Sequence, residues 1–269
     1  MQPLFSVAGR RRLDQTVQPG VLCVFDFDGT LAPIVPHPDD ARLPDEVLQR
    51  LLRLSQLAPV GVLTGRGLDD IRPRLGFDPQ YLVGNHGLEG VPGSLQDNAA
   101  HRALCSQWKA ELAPMLANEP GLYLEDKLYS LSLHYRMASD PAAAEARVLA
   151  LSAALDPPPR IVAGKFLVNL LPDASGDKGT ALERLIEISG CSTALYIGDD
   201  VTDEDAFRIS HPGLLSIRIE PHDQSAAEFY LPRRQDIVHL LDHLVERLCA
   251  DTLGGLGDTG TVKRAGNAQ

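Results

Sequence analysis

Val21-Leu22-Cys23-Val24-Phe25-Asp26-Phe27-Asp28-Gly29-Thr30 sets an apolar run ahead of two carboxylates and a Gly-Thr turn. Such a run reads as a strand buried on both faces, and such strands belong to parallel sheets covered by helices. Downstream, Pro44 opens a helical stretch with Val47, Leu48, Leu51, Leu52 and Leu54 at helical spacing. Val60 to Leu63 and Tyr81 to Val83 follow as short strands, with a helix expected over Gly67 to Leu75. Strand and helix in alternation are the grammar of an α/β sheet.

Further along, the pattern changes. One helix is expected over Asp97 to Leu116, then a hairpin over Leu122 to Arg136 with its turn near Asp126. In that hairpin Tyr129, Leu131, Leu133 and Tyr135 alternate with Ser130, Ser132, His134 and Arg136, so one face is apolar and the other polar. Asp140-Pro141 starts an alanine-rich helix as N-cap and first helical residue, and Pro157-Pro158-Pro159 ends it. Phe166 to Leu171 is one more strand. Alternation then resumes, with helices from Lys178, Asp203 and Arg234 and strands at Ala194 to Ile197, Leu214 to Ile219 and Phe229 to Leu231.

The fold class expected is α/β: a Rossmann-like parallel-sheet core with helices on both faces, plus an inserted α+β cap domain. The core takes residues 21–92 and 176–250, and the cap takes 93–175. Residues 1–20 are expected to lead in without adding much core, and 251–269 to form a disordered tail.

Composition narrows the function classes. A net charge of −11 repels nucleic acid and anionic lipid at long range, so neither is expected as a partner. No apolar stretch is long enough to span a bilayer, and four scattered cysteines suit a reducing, cytoplasmic setting. A small anionic ligand would have to be met by local positive charge, and a monomer is compatible with this reading.

Asp26 and Asp28 stand at a strand end, where open α/β sheets present ligands. Two close carboxylates imply a cation between them or a raised pKa on one. Gly198, Asp199 and Asp200, with Asp203, Glu204 and Asp205 beyond, form a second acidic strand end; alone it reads equally well as a helix N-terminus stabilised by its dipole. Thr64, Gly65 and Arg66 end another strand in groups able to bind a phosphate oxygen, and Lys178 opens a helix.

Taken together, Asp26-Phe27-Asp28-Gly29-Thr30, Thr64, Lys178 and Gly198-Asp199-Asp200 with Asp203 resemble the four motifs of the haloacid dehalogenase-like phosphatases. The resemblance implies that Asp26 attacks phosphorus while Asp28 protonates the leaving oxygen and then activates water. It implies Mg2+ held by Asp26, Asp28 through its backbone carbonyl, and Asp199, with Asp203 orienting Lys178 or a metal-bound water. Catalytic roles fall to Asp26, Asp28, Thr64 and Lys178.

Within that family, the inserted region resembles the cap of trehalose-6-phosphate phosphatases at Asn85-His86-Gly87 with Glu89, at Glu125 and Lys127 with His134-Tyr135-Arg136, and at Gly164-Lys165 through Pro172. This implies a sugar phosphate substrate bound by Asp26, Phe27, Asp28, Thr64, Gly65, Arg66, Asn85, His86, Glu125, Lys127, His134, Arg136, Lys165 and Asn169. Asn169 stands where the subfamily usually has a glutamate and Leu171 replaces a usual basic residue, which leaves a related disaccharide or glycosyl-glycerol phosphate open. A phosphomutase shares the core, and a non-catalytic sugar-phosphate sensor is the rival of another class. Neither Gly164-Lys165 nor Lys178-Gly179 has P-loop spacing.

Overall fold

The computed structural model describes residues 1–92, 98–164, 166–172 and 176–254. Seven strands form an all-parallel sheet: β1 (Gln2–Pro3), β2 (Val21–Phe25), β3 (Val60–Leu63), β4 (Tyr81–Val83), β9 (Thr193–Gly198), β10 (Leu214–Ile219) and β11 (Phe229–Leu231). Their order is β1-β11-β10-β9-β2-β3-β4. The chain runs from β2 out to one edge and resumes, after the insertion, on β2's other side. The mouth of β2 is thus the switch point at which such sheets open a crevice beyond their carboxyl ends.

Strand alternation divides the core in two. Val21, Cys23 and Phe25 face the layer of α1 (Val7–Thr16), α2 (Asp45–Leu54), α3 (Leu68–Leu75) and α8 (Ile237–Gly254). Leu22 and Val24 face α6 (Lys178–Ser189) and α7 (Glu204–Phe207). Helices therefore cover both faces, as a buried parallel sheet requires.

The inserted sheet is antiparallel, in the order β5-β6-β8-β7, from β5 (Tyr123–Asp126), β6 (Leu131–His134), β7 (Arg160–Gly164) and β8 (Leu167–Leu171). Its apolar face, with Leu131, Leu133, Val168 and Leu170, packs on Trp108 and Leu112 of α4 (Asn98–Leu116) and on Val148 and Leu151 of α5 (Pro141–Ala153). The opposite face carries Glu125, Ser132 and Asn169 in one cross-strand row, with His134 one step along. That face looks onto the mouth of β2.

Three expectations change. Residues 1–20 are structural: β1 pairs with β11, and Leu4, Leu13 and Val17 are fully buried. The Arg10-Arg11-Arg12 run masked the apolar side of α1, whose N-cap is Ser6 accepting from the Gly9 N–H. β7 was not expected after three prolines; it is an edge strand, half-buried, with weak patterning. The last helix continues to Gly254, and the rest of the expected tail, 255–269, lies outside the described residues, as do 93–97 and 173–175 at the two expected domain boundaries.

Candidate active site

β2 ends at Phe25, and Asp26 follows with its N–H still donating to the Ile197 carbonyl of β9. Its carboxylate thus emerges at the crevice. α6 begins directly across from it, because Asp177 caps that helix reciprocally with Thr180 and leaves Lys178 as the first helical residue. Lys178 Nζ donates to Asp26 Oδ1 at 2.7 Å and to Asp203 Oδ1 at 2.6 Å, all three groups being buried.

Asp203 is the most heavily used carboxylate in the site. Its Oδ1 also accepts from the Tyr196 hydroxyl at 2.5 Å, and its Oδ2 accepts from the Asp199 and Asp200 N–H groups, each at 2.9 Å. It serves as an anchor for Lys178 and for the turn after β9. Tyr196 was not anticipated from sequence; inside an apolar strand it reads as core.

Asp199 projects from that turn against Gly29. Gly29 has φ +87°, and a Cβ there would lie 2.1 Å from Asp199 Oδ2, so glycine is required by both backbone and contact. The Thr30 hydroxyl lies 3.3 Å from Asp199 Oδ1. Among the described residues, carboxylate oxygens of Asp26, Asp199 and Asp203 lie within 4.8 Å of one another.

Charge balance bears on what the cluster can hold. Burial, only partly offset by Lys178 and reinforced by Asp203 and Asp28, pushes the Asp26 carboxyl up to about 8. Burial and the charges of Asp26, Asp203 and Asp200 hold Asp199 well above the usual carboxylate range. Burial alone would lower the Lys178 ammonium, yet Asp203 and Asp26 reverse this and raise it, so it stays charged. An oxygen-only donor set short of positive charge fits a hard divalent cation. Asp203 is saturated by Lys178, Tyr196 and two amides, which leaves Asp26 and Asp199 as the carboxylates with capacity to spare.

On the other side of Asp26, Thr64 is buried at the end of β3, and its Oγ1 accepts from the Arg66 N–H at 3.2 Å. Arg66 grips Asp28 with both arms of its fork, at 2.6 and 2.8 Å, and donates to Asp70 at 2.7 Å. Its guanidinium is thereby committed to placing Asp28. A Cβ on Gly65 would lie 2.4 Å from the His86 ring, so the glycine lets the imidazole lie along the turn. His86 is held neutral by burial and by the charges of Lys178, Lys127 and Arg160, and neither ring nitrogen has a partner.

Above this floor, the cap supplies a mixed polar roof. His134 Nε2 lies 2.8 Å from Glu125 Oε2, and Lys127 Nζ lies 3.8 Å from the same oxygen. The His134 hydrogen bond and the Lys127 charge outweigh burial and hold the Glu125 carboxyl below its usual value. Asn169 accepts from the Ser132 hydroxyl at 2.6 Å. Arg136 donates to the Val35 and Pro36 carbonyls at 3.2 and 2.8 Å and so ties cap to core.

Floor and roof enclose a cleft of about 640 Å³, ample for a small molecule. Asp26, Asp28, Thr64, Gly65, Arg66, His86, Glu125, Lys127, His134, Arg136, Asn169, Lys178 and Asp199 all line it. Two expected ligands do not bring their side chains there. The Phe27 ring is fully buried in the core beneath Arg66, because the residue between two outward carboxylates points inward. Asn85 is fully buried, donating to Glu89 at 2.9 Å and to the Lys127 carbonyl at 3.1 Å while accepting from Ser130 at 3.0 Å. It is a cap-to-core tie. Lys165 lies outside the described residues.

Comparisons with known proteins agree with this geometry. The family model described as trehalose-phosphatase matches residues 24–233. Trehalose-phosphate phosphatase of Mycobacterium avium (strain 104) is 37% identical over 193 residues, covering 68% of this chain and 49% of the relative. That of Mycobacterium tuberculosis (strain ATCC 25618 / H37Rv) is 34% identical over 245 residues, covering 86% and 62%. The chain thus spans about half to three fifths of the length of these relatives. The solved C-terminal domain of Candida albicans trehalose-6-phosphate phosphatase shares the fold, with a TM-score of 0.71 at 21% identity over 91% of this chain and 98% of that one.

Proposed function

The chain belongs to the trehalose-phosphatase family, and from that premise we propose that it hydrolyses trehalose 6-phosphate to trehalose and inorganic phosphate. The observation that carries the reading is the buried Lys178 bridging Asp26 and Asp203, with Asp199 alongside, beneath a cap face of hydrogen-bonding side chains.

In this reading the free oxygen of Asp26 attacks phosphorus, forming an Asp26–phosphorus bond as the bond to the sugar oxygen breaks. Lys178 holds the other Asp26 oxygen and keeps the nucleophile aimed. Asp28 acts as the acid once one of its oxygens leaves the Arg66 fork and takes up a proton, which it then gives to the departing sugar oxygen. It then takes a proton from water, whose oxygen displaces Asp26 from phosphorus and releases phosphate. The Thr64 hydroxyl and the Gly65 N–H receive phosphate oxygens at the β3 turn. Magnesium held by Asp26, Asp199 and the Asp28 carbonyl would offset the negative charge between carboxylate and phosphate.

The roof binds the sugar. Glu125 and His134 accept and donate to hydroxyls, Asn169 adds an amide, and Lys127 sits where it can meet substrate oxygens near Gly65. The purified protein with Mg2+ should release phosphate from trehalose 6-phosphate much faster than from glucose 6-phosphate, sucrose 6-phosphate or a glycosyl-glycerol phosphate. A preference for one of the others would overturn the sugar assignment and leave the phosphatase chemistry standing. Transfer to a second hydroxyl without free phosphate would overturn the chemistry itself.

A further inference from the structure

The turn that presents Asp199 is gripped from two sides, and only one grip belongs to the motifs read from sequence. On its N–H side, Asp203 accepts from both Asp199 and Asp200. On its carbonyl side, beyond the end of β9 at Gly198, a side chain supplies the donors. Arg218 Nη2 donates to the Asp199 carbonyl at 2.5 Å and Nη1 to the Asp200 carbonyl at 3.2 Å.

Arg218 reaches these oxygens because β10 pairs in register with β9, placing Arg218 beside Gly198 where the turn begins. Its guanidinium is itself held. Nη1 also donates to Glu204 Oε1 at 2.9 Å, and Glu204 Oε2 accepts from the Ala226 N–H at 2.8 Å. The Arg218 and Glu204 side chains are only 11% and 9% exposed, so water competes little for these contacts. A planar fork can span two carbonyls and a carboxylate together, whereas a lysine ammonium cannot reproduce that spread.

Fixing the peptide groups on both sides of Asp199 and Asp200 sets the direction in which the Asp199 carboxylate leaves the chain. Gly29 and Thr30 then box that carboxylate opposite Asp26. We propose that Arg218 is a positioning residue for the cation site, acting through the backbone of Asp199 and Asp200 to preset the metal-binding carboxylate. This rests on the reading of a magnesium ion held by Asp26 and Asp199.

Calorimetric titration of Mg2+ into the full chain tests it directly, alongside the Mg2+ dependence of phosphate release. Arg218→Met should weaken Mg2+ binding by about 10- to 100-fold, the range found when groups that orient metal ligands are lost. The Mg2+ concentration for half-maximal rate should rise by the same factor, with most of kcat recovered at saturating Mg2+. Arg218→Lys should fall between Met and the parent. Glu204→Gln leaves Arg218 in place but loosens its anchor, and should weaken Mg2+ binding less than Arg218→Met.

A merely structural arginine would lower the melting temperature and leave the Mg2+ constant unchanged, and that result overturns the proposal. Should Arg218→Met fail to fold, unchanged Mg2+ binding in both Arg218→Lys and Glu204→Gln overturns it equally. If the parent chain binds no Mg2+, the metal reading fails instead.

Discussion

At the floor of the cleft, the Lys178 side chain is 2% exposed and that of Asp203 0%, while at the roof Glu125 and His134 stand at 35% and 20%. The floor groups are charges removed from water, and Asp203 has each oxygen satisfied by protein donors. Glu125 and His134 pair with each other at 2.8 Å and keep contact with the cleft. A buried charge that loses its partner is expensive, so the floor tolerates little change. The roof can exchange one polar residue for another at small cost in folding, which suits a surface that sets substrate preference.

If the floor carries the chemistry, Asp26→Asn should lower kcat by roughly 10⁴-fold or more, as nucleophile removal does elsewhere. Circular dichroism should show the fold retained, and residual activity above a hundredth of the parent would remove Asp26 from its role. Lys178→Met leaves Asp26 and Asp203 facing one another uncompensated. It should cost about 3–5 kcal/mol in urea unfolding without added metal; a loss below 1 kcal/mol would mean the floor is less tightly coupled than its geometry indicates.

Asn85→Ala removes the tie beneath the cap and leaves the Ser130 hydroxyl and the Lys127 carbonyl unmet, an effect of about 1–3 kcal/mol on stability. Unchanged unfolding there would show that cap and core hold together by other contacts. On the roof, Lys127→Ala or His134→Ala should raise KM about tenfold, close to 1.4 kcal/mol, with kcat and melting temperature nearly unchanged. A roof variant that lost kcat and kept KM would erase the division of labour between the two walls.

Much of this was legible because it is written over short spans. Val21 to Phe25 reads as a fully buried strand, and all five residues are buried. The Ser132 and Leu133 alternation places one on the cleft side and the other in the cap core. Lys178 starts a helix because Asp177 and Thr180 cap it, and Gly190 closes that helix with φ +65°. Where local signals were faint or misleading, the reading failed: the arginine run hid the buried side of α1, and the edge strand β7 has no strong period.

The sequence alone determined the architecture and the acidic strand ends, since strand period, helix period and caps are settled by neighbours a few residues apart. Only the tertiary structure decided which side chain each acid meets. Arg66 takes Asp28 across 38 positions, Lys178 takes Asp26 across 152, and Asn85 takes Ser130 across 45. Arg218 reaches Asp199 only because β10 lies in register beside β9. Hydrogen bonds act over about 3 Å, so a partner far away in the chain becomes a neighbour only after the sheet has ordered its strands.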